Sequence, residues 1–508
     1  MSISWGYSPK VEKFIPLGEY PADKYLIIVR QVVENLGWKL SHVSESGLIA
    51  YTGLSLQSYS EEISIRIKLN FAIFKSECVG IQMLFNDYGK NEQNLQKFFD
   101  EFEYVQYHLK DTWEEELIKF HEEVALQDDQ YFEKAPLAAK DKIRNVFYLF
   151  IPRKGYLVTP ILLYLNIGYY LAITVRLYFL SFSVQRGEIA PENIIDLANH
   201  IYSTFGVNSR DAILNGQFWR LISHQFIHFN LSHLFFNMYA LIYIGLMVEN
   251  KLGGWKTLAI YLSGGICGGL ISVIGHRTGV MGGASGAITS LFGAFLALLL
   301  CKAFEKNANR ALLISTLIVV ALMLFNGLMK RQVDNSAHIG GLVSGFLIGY
   351  LLYQPTSLGF KTNIYQRAVV AVLLVLTLAA VIFQFTPRYQ KEAYEELVKQ
   401  YLENNSRFMK IYTINNSMSK EDKIRLVTTD GVEAWKKNLD IVKKMEKLLL
   451  LEEDKAAIKF RAIQARRGHA VSLLMVRNYQ ADDAPYLNQI RRLLADMNNI
   501  VVKDGDKE

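Results

Sequence analysis

Seven apolar runs follow one another between residues 156 and 386, and nothing else in the chain limits its fold as strongly. They cover Leu157–Phe182, Leu231–Val248, Trp255–Ile274, Ser285–Leu300, Ala311–Met329, Ala337–Tyr353 and Ala368–Phe385. A helix needs roughly 20 apolar residues to cross the hydrocarbon of a bilayer, with a lower limit near about 17. The fourth run is short, and the Gly-rich stretch before it is expected to extend it. A water-soluble helical core can account for one or two such runs but hardly for seven in series. The expected class is a polytopic α-helical membrane protein. The N-terminal stretch MSISWGYSPKVEKF lacks the apolar centre of a signal peptide, so an internal span is expected to direct insertion.

The flanks differ in kind from the middle. Residues 1–150 and 388–508 are charge-rich, whereas residues 151–387 hold the apolar runs. The first flank reads as a soluble α/β domain. Tyr25–Leu36 has helical periodicity, and Ile63, Ile65, Ile67 and Leu69 alternate as in a half-buried strand. Gly47–Thr52 and Cys78–Phe85 are further strand candidates, and Leu95–Leu126 reads as one long acidic helix. The last flank reads as a soluble helical domain, with helices expected near Glu395–Asn404 and Val432–Leu451. Neither flank carries a chemistry-bearing motif. Regulation, docking of a protein partner or oligomer contacts are the roles expected of them.

Composition removes some classes of function. The net charge is only +6, and no basic patch interleaved with aromatics argues for nucleic acid. Cys78, Cys267 and Cys301 have no metal-ligand spacing and read as small core residues. Neither a metal nor another cofactor is expected.

Lysine and arginine in the short loops give an orientation. Loops on the N-terminal side carry Lys251, Lys256, Lys302, Lys306, Arg310, Lys361 and Arg367, against Arg277, Lys330 and Arg331 on the other. This bias favours a cytoplasmic N-terminus. An odd number of spans then puts the C-terminal domain on the opposite side. A bacterial cell membrane is the expected location.

Polar residues inside spans are costly, and so are candidates for function. His233 and Asn237 lie in the second run, Ser285 opens the fourth and His338 lies at the start of the sixth. These three runs begin on the same side of the membrane. At about 1.5 Å of rise per residue, the four side chains share a shallow depth. Ser285 follows Gly282, Gly283 and Ala284 and precedes Gly286. Such a turn leaves N–H groups at a helix start free to hold an anion, although Gly and Ser also serve close helix packing. His338 precedes Gly340, Gly341, Gly345 and Gly349, a stripe that lets its helix approach a neighbour closely. If that neighbour is the fourth span, His338 can take the Ser285 proton; otherwise it is a helix-end histidine facing water. His233 and Asn237 share one helix face and suit an oxyanion hole or a simple interhelical hydrogen bond. Asp334, one turn before His338, is expected in an exposed loop, which makes the pair a dyad and not a triad.

Trp219-Arg220, His228, His233-x-x-x-Asn237, Gly283-Ala284-Ser285-Gly286 and His338-x-Gly-Gly-x-x-x-Gly together resemble the rhomboid family of intramembrane serine proteases. The resemblance covers about residues 155–355, and it is the order and span placement of the motifs that make it specific. It implies a six-helix bundle, here with a seventh span, and a water-filled cavity open opposite the N-terminus. It implies Ser285 as nucleophile and His338 as base, with His233, Asn237 and the Ser285 N–H as oxyanion donors. It also implies transmembrane protein substrates met within the lipid bilayer. Trp219 and Arg220 match a loop motif lying partly in the lipid interface, and Glu249 matches an acidic residue that ties loops together. Thr289 departs from the pattern, since several members carry there an aromatic ring stacked on the histidine.

Two other readings compete. His224-Gln225-Phe226-Ile227-His228 mimics zinc-protease spacing, but Gln225 stands where the general base belongs. A non-enzymatic helix-binding relative usually lacks the serine or the histidine, and this chain has both. A transporter is disfavoured because no paired, interrupted spans occur in two repeat halves.

Overall fold

The computed structural model of the chain describes residues 9–505, apart from 56–58, 81–86, 109–112, 126–131, 133–136, 138–145, 276–279, 330–332, 354–362 and 482. Two compact units result, Met1–Thr386 and Pro387–Glu508.

The first unit opens with an antiparallel sheet of β1 (Lys10–Pro16), β2 (Lys39–Ser44), β3 (Gly47–Tyr51), β4 (Glu61–Lys68) and β5 (Phe71–Cys78), in the order β1-β5-β4-β3-β2. Helices α1 (Ala22–Asn35), α2 (Lys90–His108) and α3 (Trp113–Val124) accompany it. The alternation in β4 turns Ile63 and Ile65 toward Leu26, Val29 and Phe98, which form the core of this domain with Leu48 and Phe74. The acidic stretch expected as one helix is two, α2 and α3, with residues 109–112 between them outside the described residues. Most of the expected strand from Cys78 to Phe85 also lies outside them, and Cys78 closes β5. The whole of β3 is buried. Leu48 and Ala50 face the helices of their own domain, while Ile49 and Tyr51 join a core shared with the apolar helices. Gly80 sits so close to Ser315 that an added Cβ would lie 2.9 Å from the serine Cβ. This sheet therefore packs against the apolar helices of the same unit.

Seven apolar helices follow: α4 (Val158–Gln185), α5 (Leu231–Leu252), α6 (Gly254–Gly275), α7 (Ser285–Leu300), α8 (Lys306–Met329), α9 (Asn335–Leu352) and α10 (Ile364–Phe385). All except α7 are long and apolar enough to cross a membrane. The Gly-rich stretch does not lengthen α7, which begins at Ser285 itself after a two-residue strand, Val280–Met281. Its 16 residues span only about 24 Å, short of a hydrocarbon core of about 30 Å. The helix is almost wholly buried among its neighbours, so its ends can stop below the membrane surface.

Glycines set the closest helix pair. Gly341 packs on Gly286, Gly345 on Ser290 and Gly349 on Ala294, at one constant offset along both helices. A Cβ at Gly345 would lie 2.0 Å from the Ser290 carbonyl oxygen. The constant offset means that α7 and α9 run parallel and in register, and it brings the first turns of both, carrying Ser285 and His338, to one level.

The second unit is helical, with α11 (Lys391–Phe408), α12 (Glu433–Met445), α13 (Glu452–Gln480) and α14 (Leu487–Gly505) as its longer helices. Trp435 is fully buried at its centre against Tyr401 and Phe408. The missing side chain of Gly468 makes room for the indole, which an added Cβ would meet at 2.1 Å.

Candidate active site

Three helix starts and one turn build the site. Asn230 caps α5, its Oδ1 accepting from the His233 N–H at 2.8 Å, and so holds His233 in the first turn. Asn237 lies one turn deeper on the same face. It is buried, and its Nδ2 has no hydrogen-bond partner among the described residues.

The turn before α7 is held from outside. The Gly283 N–H donates to the His224 carbonyl at 2.9 Å, and Asn208 pairs with Met281 in a two-residue ladder. Gly283 has φ +145°, in the region that favours glycine. It also lets the His233 ring approach, since a Cβ there would sit 2.9 Å from its Cε1 and 3.7 Å from the Ser285 Oγ. The imidazole and the hydroxyl therefore flank one bare Cα. Ser285 is half-buried at the first position of α7, where N–H groups lack intrahelical acceptors.

His338 is buried in the first turn of α9. The preceding Ala337 lies against Gly286, the residue after Ser285, with its carbonyl oxygen 3.6 Å from a Cβ built there. The Nδ1 of His338 has no hydrogen-bond partner among the described residues. Thr289 is buried against Gly341, one turn deeper, and its hydroxyl donates to the Gly286 carbonyl at 2.8 Å.

Asp334 is not in an exposed loop. It is half-buried and caps α9, its Oδ1 accepting from the Ala337 N–H at 2.9 Å, while its Oδ2 accepts from the Ser272 hydroxyl of α6.

The remaining motif residues lie elsewhere and bind backbone. Glu249 is buried at the end of α5, and its carboxylate accepts from the N–H groups of Leu157, Val158 and Thr159 at 2.5, 2.8 and 2.9 Å. It therefore caps α4 from the neighbouring span. Arg220 donates to the Val207 carbonyl at 2.8 Å and to Gln217 Oε1 at 2.6 Å, and it lies over the half-exposed Trp219 ring at 4.8 Å.

Two participants were not assigned roles by the sequence. The His228 ring stands 5.0 Å from that of His233, and the His224 carbonyl anchors Gly283. Burial pushes the His228 imidazole down to about 3, and His233 adds to that effect; burial brings His224 down to about 4. Both rings are neutral at physiological pH. His224 Nδ1 faces the Arg220 carbonyl at 2.8 Å, and Gln225 donates to the carbonyls of Leu221 and Leu262. The residues with zinc-like spacing pack within the loop and against α6, where Gln225 lies on Gly265 and His224 on Gly269. Among the described residues no three His, Cys, Asp or Glu side chains are grouped to hold a metal.

The family model described as "Rhomboid domain" matches residues 215–355. The chain is similar to Rhomboid protease GluP of Bacillus subtilis (strain 168), 29% identical over 241 residues, 45% of each chain. It is similar to RHOMBOID-like protein 6, mitochondrial, of Arabidopsis thaliana, 39% identical over 27% of this chain and 45% of the relative. Rhomboid-like protease 2 of Toxoplasma gondii is 34% identical over 35% of this chain and 63% of the relative. The chain thus spans less than two thirds of the length of each. Relatives from a bacterium and a plant match alike, so a bacterial origin does not follow from them. Residues 215–355, which carry the Ser285 turn and both histidine-bearing helix starts on a bundle of apolar helices, are thus similar to a rhomboid domain.

Proposed function

We propose that the protein is an intramembrane serine endopeptidase that cleaves transmembrane segments with a Ser285–His338 dyad. The observation that carries this reading is the meeting of His233 and Ser285 across the bare Cα of Gly283, level with the first turn of α9. The names of the relatives, two of them called proteases, support it.

In this reading the end of a substrate helix unwinds into the site. The Ser285 Oγ attacks a peptide carbonyl as its proton passes to the His338 imidazole. The oxyanion is held by the Ser285 N–H, the His233 ring and the Asn237 amide, whose Nδ2 has no other partner among the described residues. The tetrahedral intermediate collapses, and His338 returns the proton to the leaving amine. Water then hydrolyses the acyl-enzyme by the reverse proton path. A helical segment must give up backbone hydrogen bonds before attack, so substrates with weak helix formers at the cut site are favoured.

The same reading has all seven apolar helices spanning, with a cytoplasmic N-terminus and the C-terminal unit on the opposite side. The soluble parts would recruit partners or substrates. In proteoliposomes with a generic transmembrane substrate, Ser285→Ala and His338→Ala each lower cleavage by about 10³-fold or more. Wild-type rates in either variant would sink the dyad. Asn237→Ala, which removes one oxyanion donor of several, retains partial activity.

A further inference from the structure

We propose that Ser272 and Asp334 are positioning residues that hold the His338 turn in register with the Ser285 turn, an inference resting on the dyad reading above. His338 occupies a helix start, where backbone N–H groups lack partners and helices fray. Its Nδ1 has no hydrogen-bond partner among the described residues, so no carboxylate fixes the ring directly. The backbone of the first turn must then place it.

That turn is fastened by three consecutive side chains. Asp334 caps it through Oδ1 and accepts the Ser272 hydroxyl through Oδ2. Asn335 donates to the Leu324 carbonyl of α8 at 2.9 Å. Ser336 fills the space left by Gly275 at the end of α6, where an added Cβ would lie 2.1 Å from its Oγ. Ser272 does more than complete the cap. Fully buried on α6, its hydroxyl also touches the Met281 sulfur, four residues before Ser285. One side chain thus contacts both the strand leading to the nucleophile and the residue capping the helix of the base. In a triad the carboxylate bonds the imidazole itself; here it acts one step back, through the helix start.

Catalytic groups misplaced by about 1 Å lose on the order of 10²-fold in rate. Asp334→Ala and Ser272→Ala therefore each lower kcat about 10- to 100-fold at unchanged KM in the reconstituted full chain. Asp334→Asn keeps the cap acceptor and can donate to Ser272, so it restores kcat to within a few-fold of wild type. The double variant Asp334→Ala/Ser272→Ala loses less than the product of the two single effects, because the Ser272–Asp334 contact is common to both. Thermal unfolding in detergent checks that each variant is folded, and if Asp334→Ala unfolds, Ser272→Ala carries the test. Wild-type kcat in Ser272→Ala overturns the proposal, as does Asp334→Asn being as slow as Asp334→Ala, which would make the charge itself the requirement. Cleavage by Ser285→Ala measured alongside separates the two readings. If that variant is active, the dyad fails; if it is inactive while Ser272→Ala is fast, only the positioning role fails.

Discussion

The helices α9 and α10 follow one another in the chain and are built on opposite plans. α9 is the least hydrophobic of the long apolar helices and carries four glycines, three of which meet α7 at backbone distance. α10 is the most hydrophobic of them, yet only 11% of its most apolar stretch is buried in the protein. The same contrast separates α7, buried along its length, from α8, only 22% of whose most apolar stretch is buried. In a bilayer, lipid tails satisfy a leucine as well as a protein core does, so an outer helix gains from greasiness alone. An inner helix gains from close approach, which small residues allow. The candidate catalytic side chains stand at the starts of the glycine-packed helices, where their positions are set by backbone contact.

Substitutions on the two kinds of helix should separate widely. Gly345→Leu puts a branched side chain into the Ser290 carbonyl, and with backbone on both sides it costs about 3 kcal/mol or more. Loss of the folded band in thermal unfolding, together with loss of cleavage, is the expected result; a folded, active variant would break the contrast. Glu249→Ala tests a polar tie between spans. It strands buried N–H groups at the start of α4 and costs about 2 kcal/mol, read as a lowered Tm with the catalytic turn intact. Leu373→Ala on the exposed face of α10 changes stability by less than about 0.5 kcal/mol. If Leu373→Ala costs as much as Gly345→Leu, α10 is packed against something and does not face lipid.

Much of this was legible because it depends on local rules. Span lengths follow from bilayer thickness, and the seven runs match α4–α10 closely. The glycine stripe after His338 announced a close neighbour, and Gly283 a tight turn, since each reports what a Cβ would forbid. Other features were not. The fourth run starts at Ser285 as read, but its expected lengthening does not occur, because glycines before an apolar run look equally like a helix extension or a turn. The sheet domain reads as soluble from its charge, yet both faces of β3 are covered, and only the packing of Ile49 and Tyr51 shows by what.

By itself the sequence determined a bundle of apolar helices and marked four polar residues near the starts of three of them, because hydropathy and helical rise are properties of consecutive residues. Tertiary structure alone decided which helices touch. It placed His233 against Gly283, joined Asp334 to Ser272, and turned Glu249 into the cap of another span. Each of these contacts joins residues 50 or more positions apart, as with the 62 between Ser272 and Asp334. No local periodicity records such a pairing, because it exists only once the helices have packed.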